Sequence, residues 1–397
     1  MRISTSQMYT NSVNSMLSQQ TKLAATQQQL STGKRVLSPS DDPVGAVRSL
    51  ELNRAQDQTD QYLRNANLLD SRLRLEESVV GSSIDVVQRI RELTVQANND
   101  SQSNDSRASI ALELRQQLDN LLSYANTKDS SGHYIFAGYQ EGSAAFSKTA
   151  DGYIYNGDDG QRQLQIGPSR LMADGDPGSD VYMGILNGNG QFIAAADASN
   201  TGTGIINAGS VADVQAFNHS SLTIRFTSET QYDVVDGGGA VVDSGDYLSG
   251  GDILVAGMAV SVTGAPATGD EFTLRPSKRQ DLFSMVESLA LALETPRKNQ
   301  TERAAQHNEI NTALSGFDQA IDHLIQKQSN IGARMESLER QSDINTGANL
   351  QISESLSLIN DLDYAEAISR FSQQQASLQA AQQAFAKTQG LSLFNYL

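Results

Sequence analysis

The sequence predicts an α+β protein: a long helical coiled-coil or bundle rod built from both chain ends, with an antiparallel β-rich domain inserted in the middle. Three observations carry this. Apolar residues recur at alternating steps of three and four toward both ends, the spacing that keeps one helix face apolar. Of the 31 glycines, 24 lie between Gly132 and Gly269, so the middle is built from turn-rich material. The formal net charge of −17 is uneven: the first forty residues hold no Asp or Glu, whereas 136–280 holds 17 against 7 Lys and Arg.

The opening helix is read from Val13, Met16, Gln20, Leu23, Gln27 and Leu30, which step by three and four through Ser, Thr, Gln and Ala. Gln20 and Gln27 occupy seam positions there and are expected to set register at a cost in stability. Gly33 stands where this helix needs a C-terminal cap, and Lys34 and Arg35 suit its negative end. Asp41 or Asp42 then caps a second helix with Pro43 in its first turn. The stretch 31–45 is therefore a joint between two helical layers.

Beyond the joint, a series from Leu52 through Tyr62, Leu69, Leu73 and Val80 to Ala97 keeps the same stepping. Val79, Val86 and Leu93 add a second apolar face. A shorter helix is expected from about 107 to 126, carrying Ile110, Leu114, Leu118 and Leu121. The middle alternates β-branched runs with Gly- and Asp-rich turns at 221–227, 252–256 and 259–263, which reads as antiparallel strands. A helix over 282–293 closes before Pro296. From Ile310 to Leu338 eight of nine seam positions are apolar, a strong coiled-coil seam. Near the C-terminus Phe371, Leu378, Ala381 and Phe385 repeat within a Gln-rich setting, followed by Leu391 and Leu393.

The resulting division is 1–40 and 365–397 as terminal helices, 41–135 and 281–364 as a helical rod, and 136–280 as a solvent-exposed β insert. The terminal seams bury little per turn, and a narrow apolar stripe recovers only part of the ordering entropy. They are expected to be mobile in the free chain and to form an assembly interface on association. The residues of that interface are Val13, Met16, Gln20, Leu23, Gln27, Leu30, Phe371, Leu378, Ala381, Phe385, Leu391 and Leu393. Gly33, Asp41, Asp42 and Pro43 form the joint.

Chemistry has little to stand on. The chain has no Cys, which removes disulfides, thiolate nucleophiles and Cys-ligated zinc. His133, His219, His307 and His323 are scattered, without the paired spacing of a helical metal site. Gly33 and Lys34 lack the earlier Gly and following Ser or Thr of a phosphate loop, and no Gly-Xaa-Ser-Xaa-Gly elbow occurs. The Asp-rich loops at 156–160 and 174–180 lack EF-hand ligand spacing and read as turns. The reading is a non-enzyme with no cofactor and no metal. A pI near 4.6 argues against nucleic acid, and no run of eighteen apolar residues or signal-peptide core argues for membrane. No aromatic cluster suited to stacking on sugar rings is evident, so a glycan-binding role for the insert is the weaker reading.

Several stretches, in order, resemble bacterial flagellin-type axial proteins. They are QQLSTGKRVLSPSDDPVG (28–45), VQRIRELTVQANN (87–99), NIGARMESL (330–338), DLDYAEAI (361–368) and the terminal LSLFNYL. SGHYIFAG (131–138) and YNGDDG (155–160) are more similar to the hook-associated junction branch of that family than to flagellin, the rival reading. The resemblance covers both flanks, about two thirds of the chain. It implies a structural adaptor between flagellar hook and filament, secreted through the flagellar export channel. It further implies partners: a hook-side hook-associated protein, flagellin, copies of the same chain in a ring, and an export chaperone on the C-terminal helix. In flagellin the positions matching Arg89, Leu93 and Glu113 lie in a surface recognised by an innate immune receptor, so the resemblance implies such a surface here.

Overall fold

The computed structural model describes residues 5–150 and 152–390. Seven helices are present among them: α1 (Thr5–Thr32), α2 (Pro43–Ala97), α3 (Asn104–Ala125), the short α4 (Gly178–Tyr182), α5 (Leu282–Glu294), α6 (Gln300–Asn360) and α7 (Tyr364–Gly390). The chain forms two compact units, 1–64 with 340–397 and 65–339, and passes between them within α2 and α6.

Unit 65–339 holds both hydrophobic cores. In the first, α6 buries Ile310, Phe317, Leu324, Ile331 and Leu338, one per heptad, with Leu314, Ile321 and Met335 half-buried between them. The partner α2 buries Leu69, Leu73, Val80, Val87 and Ile90, while Val79, Val86 and Leu93 form the second buried face. Ser103 starts α3 by accepting from the Ser106 N–H at 3.1 Å, and Asp281 starts α5 by accepting from the Ser284 N–H at 2.7 Å. α3 lies along α5, pinned by a two-point ion pair in which Arg115 reaches both carboxylate oxygens of Glu294 at 2.8 and 2.9 Å.

The second core belongs to a sheet-rich portion. One five-stranded antiparallel sheet has the order Val241–Asp246, Gln231–Asp236, Leu222–Ser228, Glu271–Pro276, Phe192–Ala196. The pairs Asp252–Val255 and Met258–Thr263, with the short strands 205–206 and 210–211 on the latter, form a second sheet. Alternate residues Leu222, Ile224 and Phe226 face inward against Val260, Val262 and Phe272. Asn308 of α6 ties this portion to the helices: its side chain accepts from the Ile206 N–H at 2.9 Å and donates to Gly204 O at 3.0 Å.

The glycine-rich middle is thus divided between two cores rather than set apart as one insert over 136–280. Residues 136–186 pack with the helices, because Phe136, Phe146, Tyr153 and Tyr182 cluster on Phe283 of α5. Ring centroids lie 5.0 Å apart for Phe146 with Phe283, 5.3 Å for Tyr153 with Phe283 and 5.4 Å for Phe136 with Tyr182. Aromatic pairs at such distances add to the area they bury. Only the stretch from Phe192 to Leu274 has a core of its own.

Among the described residues of 1–64 and 340–397 no such core forms, and only Thr26, Tyr62, Asn345, Leu362 and Ala367 are buried. This unit consists of two antiparallel helix pairs, α1 with α7 and the start of α2 with the end of α6, joined through 33–42 and 361–363.

Candidate functional site: the terminal helices and their joint

Along α1 the half-buried positions are Val13, Met16, Gln19, Leu23, Gln29 and Leu30, with Thr26 buried; α7 answers with Phe371, Gln374, Leu378, Ala381 and Phe385. Tyr9 and Phe385 stack with ring centroids 5.1 Å apart, and Gln19 donates to Ser377 Oγ at 2.6 Å. Gln20 and Gln27, expected in the seam, are exposed; Gln19 and Thr26 take those places instead. The Thr26 hydroxyl satisfies itself on Lys22 O at 3.0 Å, so a buried polar group costs little there. Gln20 remains at the margin of an open groove of about 340 Å³ with Val13, Met16, Leu17, Gln382 and Phe385. Leu391 and Leu393 lie outside the described residues.

The joint is tied to the chain's other turn. Gly33 ends α1 with φ +68°, its N–H donating to Gln29 O at 2.8 Å and its carbonyl accepting from the Leu362 N–H at 3.0 Å. The Arg35 N–H donates to Asn360 O at 2.7 Å, and its guanidinium reaches Ile359 O from Nη2 at 2.8 Å. Arg35 therefore caps the carbonyl end of α6, not of α1 as its sequence position suggests. Asp42 is the N-cap of α2, accepting from the Gly45 N–H at 2.8 Å, with Pro43 opening the helix. Asp41 instead folds back on the Leu37 and Ser38 N–H groups.

A Cβ at Gly33 would lie 2.8 Å from the Tyr364 hydroxyl, in a backbone region that L-residues avoid. Gly33→Ala is expected to cost about 1–2 kcal/mol at the joint. Amide exchange along α1 should then be roughly tenfold faster than in the parent protein. Unchanged exchange would show that the joint does not hold α1 in place.

Arg89, Leu93 and Glu113 do not form one accessible surface. Arg89 pairs with Glu113 at 2.7 Å and with Glu92 at 3.0 Å; Arg89 and Glu92 are exposed and Glu113 is half-buried. Leu93 is 1% exposed, held in the helical core, and is out of reach of a receptor. The second-face reading of Leu93 gave this signal already.

The acidic loop 174–180 is held by the protein's own cations, whereas in 156–160 Asp158 accepts from the Tyr139 and Gly160 N–H groups, both at 2.9 Å. Asp174 bonds Arg162 and lies 3.5 Å from Arg72, Asp176 bonds Arg334, and Asp180 bonds Lys327. Arg72, 8% exposed, also reaches Glu141 at 2.9 Å and Asp129 at 3.4 Å. Among the described residues no group of three or more His, Asp or Glu is placed to hold a metal ion. Glu76, a polar member of the α2 seam whose spacing alone did not mark it as a titrating group, is 2% exposed and accepts from the Asp176 N–H at 2.9 Å. Burial and the neighbouring Asp176 push its carboxyl up to about 8, against the opposing pull of Arg334 and Arg72. His323 stays below its ordinary range through burial, its ring on Asp180 O at 2.7 Å.

A cleft of about 650 Å³ lies between 187–198 and helices α5 and α6, floored by Met285, Leu289 and Ala292. Its acids have structural partners: Asp281 caps α5, Asp197 accepts from Ser199, and Glu309 pairs with Arg297. No helix among the described residues is long and apolar enough to cross a membrane.

The paired ends, the glycine joint and the seam-built helices together define a known architecture. The bacterial flagellin N-terminal helical region family matches residues 3–141, and the bacterial flagellin C-terminal helical region family matches 314–397. Over the whole length the likeness is to flagellar hook-associated protein 3 of Escherichia coli (strain K12), 27% identical over 395 residues and 99% of each chain. The crystal structure of FlgL from Xanthomonas campestris superposes with a TM-score of 0.73 at 34% identity, covering 77% of this chain and 99% of that one. The flagellar junction protein FlgL from Legionella pneumophila superposes with a TM-score of 0.71 at 32% identity, covering 79% of this chain and 100% of that one. With that identity spread over nearly the full length of those proteins, and with flagellin-type helical regions at both ends, the chain belongs to the flagellar hook-associated protein 3 (FlgL) family.

Proposed function

We propose that this chain is a structural adaptor that joins the flagellar hook to the filament by packing its terminal helices into an axial helical layer. The observation that carries the reading is the absence of a core among the described residues of the unit 1–64 with 340–397. Both hydrophobic cores lie in the other unit, while Met8, Leu17, Leu350, Leu358 and Ile368 are more than half exposed. Apolar side chains left in water along paired helices suit a segment completed by neighbours.

The axial layer is assigned to Val13, Met16, Leu23, Leu30, Phe371, Leu378, Ala381 and Phe385. Copies of the chain, a hook-side hook-associated protein and flagellin are the partners, and an export chaperone covers α7 beforehand. The reading is non-enzymatic. Flagellin itself is disfavoured because the flagellin helical regions account for 3–141 and 314–397, whereas hook-associated protein 3 matches throughout.

The test is replacement of the resident hook-associated protein 3 in a flagellated bacterium by this full-length chain. Filaments should stay attached to hooks and swimming should return. Filaments shed into the medium, with the chain exported, would overturn the reading.

A further inference from the structure

The strand-rich portion, 192–276, and the helices share no core residue. The helical core breaks between Ile185 and Leu282, and the other core lies wholly between Phe192 and Leu274. The chain crosses between them twice, through one neck. There Ile185 and Leu186 pair with Gln280 and Arg279, the Asn187 N–H donates to Lys278 O at 3.0 Å, and Ser277 Oγ donates to Asn187 O at 2.7 Å. The incoming passage then turns through Gly188 and Gly190, whose φ angles of +63° and +84° lie in the region that glycine enters freely.

The neck sits at one end of the contact with α6. A Cβ on Gly190 would lie 2.5 Å from Gln319 Oε1, which puts the neck beside Gln319. Toward the start of α6, Asn308 holds the short strand 205–206 through its two bonds to the Ile206 N–H and Gly204 O, and the Thr301 hydroxyl donates to Thr201 O at 2.9 Å. At about 1.5 Å per residue these holds lie roughly 16 and 27 Å along α6 from the neck. Asn308, 7% exposed, stands in for a neighbouring strand. Thr203 and Asn207 donate across the sheet to Ala265 O and Ser261 O, so Gly204 and Ile206 turn their backbone groups to the opposite edge, where the amide takes them. Between the neck and Asn308 the two portions stand apart. The cleft of about 650 Å³ runs there, with Ala195 and Asp197 on one wall and Ser288, Ala292 and Thr312 on the other. An interface of a few hydrogen bonds beside an open cleft lacks the large apolar contact that locks two bodies together.

We propose that 192–276 is an arm, hinged at the neck and latched to α6 by Asn308, which swings off α6 as one body. The proposal concerns a single compact unit and holds whether or not the terminal helices form an axial layer. Opening breaks neither core, because no buried apolar residue belongs to both. It widens the cleft and hands the Ile206 N–H and Gly204 O to water, which replaces the Asn308 amide at small net cost. The turn at Gly188 and Gly190 takes up the backbone rotation, as a few residues do at other hinges. One fixed set of helices thereby carries a β portion that has more than one position.

The chain has no cysteine, so a pair of spin labels reports the arm directly. Gln116 on α3 and Thr227 on the central strand 222–228 are exposed, one on each body, and Gln116→Cys with Thr227→Cys in the full-length protein carries the labels. Pulsed dipolar measurement should give a narrow main distance and a minor second one. Asn308→Ala should raise the minor population about tenfold. Asn308→Asp, which keeps the volume but sets a carboxylate oxygen against Gly204 O, should raise it as well. Hydrogen exchange of the same proteins should quicken at 199–208 while 222–228 and 282–293 keep the parent rates, as expected when both bodies stay folded. One narrow distance, unchanged in the parent and both variants, would overturn the hinge, and fast exchange at 199–208 beside it would show mere fraying of the strand 205–206. A broadened distance with protection lost at 222–228 in both variants would show the β portion unfolding instead of swinging, and would overturn it too.

Discussion

Deleting α1 and α7 together, to leave residues 33–363, is expected to give a folded, soluble protein that has lost all ability to hold filaments to hooks. The reasoning follows the distribution of buried apolar surface. Every member of both hydrophobic cores falls between Ala66 and Leu338, so the deletion removes none of them. The α1 and α7 seams are half-buried apart from Thr26 and Ala367, and their contacts include one aromatic pair and the bond from Gln19 to Ser377. Burial at about 25 cal/mol per Å² over so narrow a stripe is largely offset by the entropy of ordering two helices. The main melting transition should therefore move by no more than about 3 °C, with the helical signal falling in proportion to the residues removed. Filament attachment should vanish, because the removed helices supply the axial layer. A truncated chain that melts without cooperativity, or that still restores swimming, would refute the assignment of assembly to the ends.

The helical parts of this fold were legible because their seams are chemically decisive. From Ile310 to Leu338 leucine, isoleucine, phenylalanine and methionine recur at heptad spacing, and no other face of α6 offers an apolar alternative. The same clarity holds for α2 from Leu69 to Ile90, and it placed Leu93 on an inner face. Where the seam is polar, the spacing loses its power to choose. Steps of three and four are satisfied equally by Gln19 or Gln20 and by Thr26 or Gln27, and only the contact with Ser377 and the self-bonded Thr26 hydroxyl select the first of each pair. The middle was read as one insert because glycine content does not report which core a segment joins. The discriminating signal was the aromatics, since Phe136, Phe146, Tyr153 and Tyr182 precede the first long strand and need a partner such as Phe283. Arg35 was assigned to the wrong helix end because sequence proximity does not show that the 360–362 turn lies against the joint.

Replacing Glu76 by Gln should make the protein's stability much less sensitive to pH between about 5 and 8. Glu76 lies buried in the α2 seam facing the Asp176 N–H, with the Asp176 carboxylate, Arg334 and Arg72 as the charges around it. Its Oε2 has no hydrogen-bond partner, so the site has no donor to hold a second negative charge. In the folded protein the carboxyl is pushed up to about 8, whereas in the unfolded chain it ionises near its ordinary value of 4.5. Below the ordinary value both states carry the proton and the group costs nothing. Between the two values the unfolded chain releases the proton and the folded one keeps it, so stability falls as pH rises. Above the folded value both are ionised and the loss levels off. The accumulated loss by pH 7 is about 3 kcal/mol. Gln reproduces the neutral form, with its carbonyl accepting from Asp176 N–H, and has no proton to release. Melting curves of the full-length parent and variant across this range should therefore diverge, by roughly 4–6 °C at pH 8 relative to their difference at pH 5. The comparison cancels the fixed cost of the amide and the titration of the paired carboxylates Glu287 and Glu294, which are held below their ordinary range by Lys148 and Arg115. Parallel curves from pH 5 to pH 8 would mean that Glu76 is ionised in the folded protein and that Arg334 and Arg72 outweigh its burial.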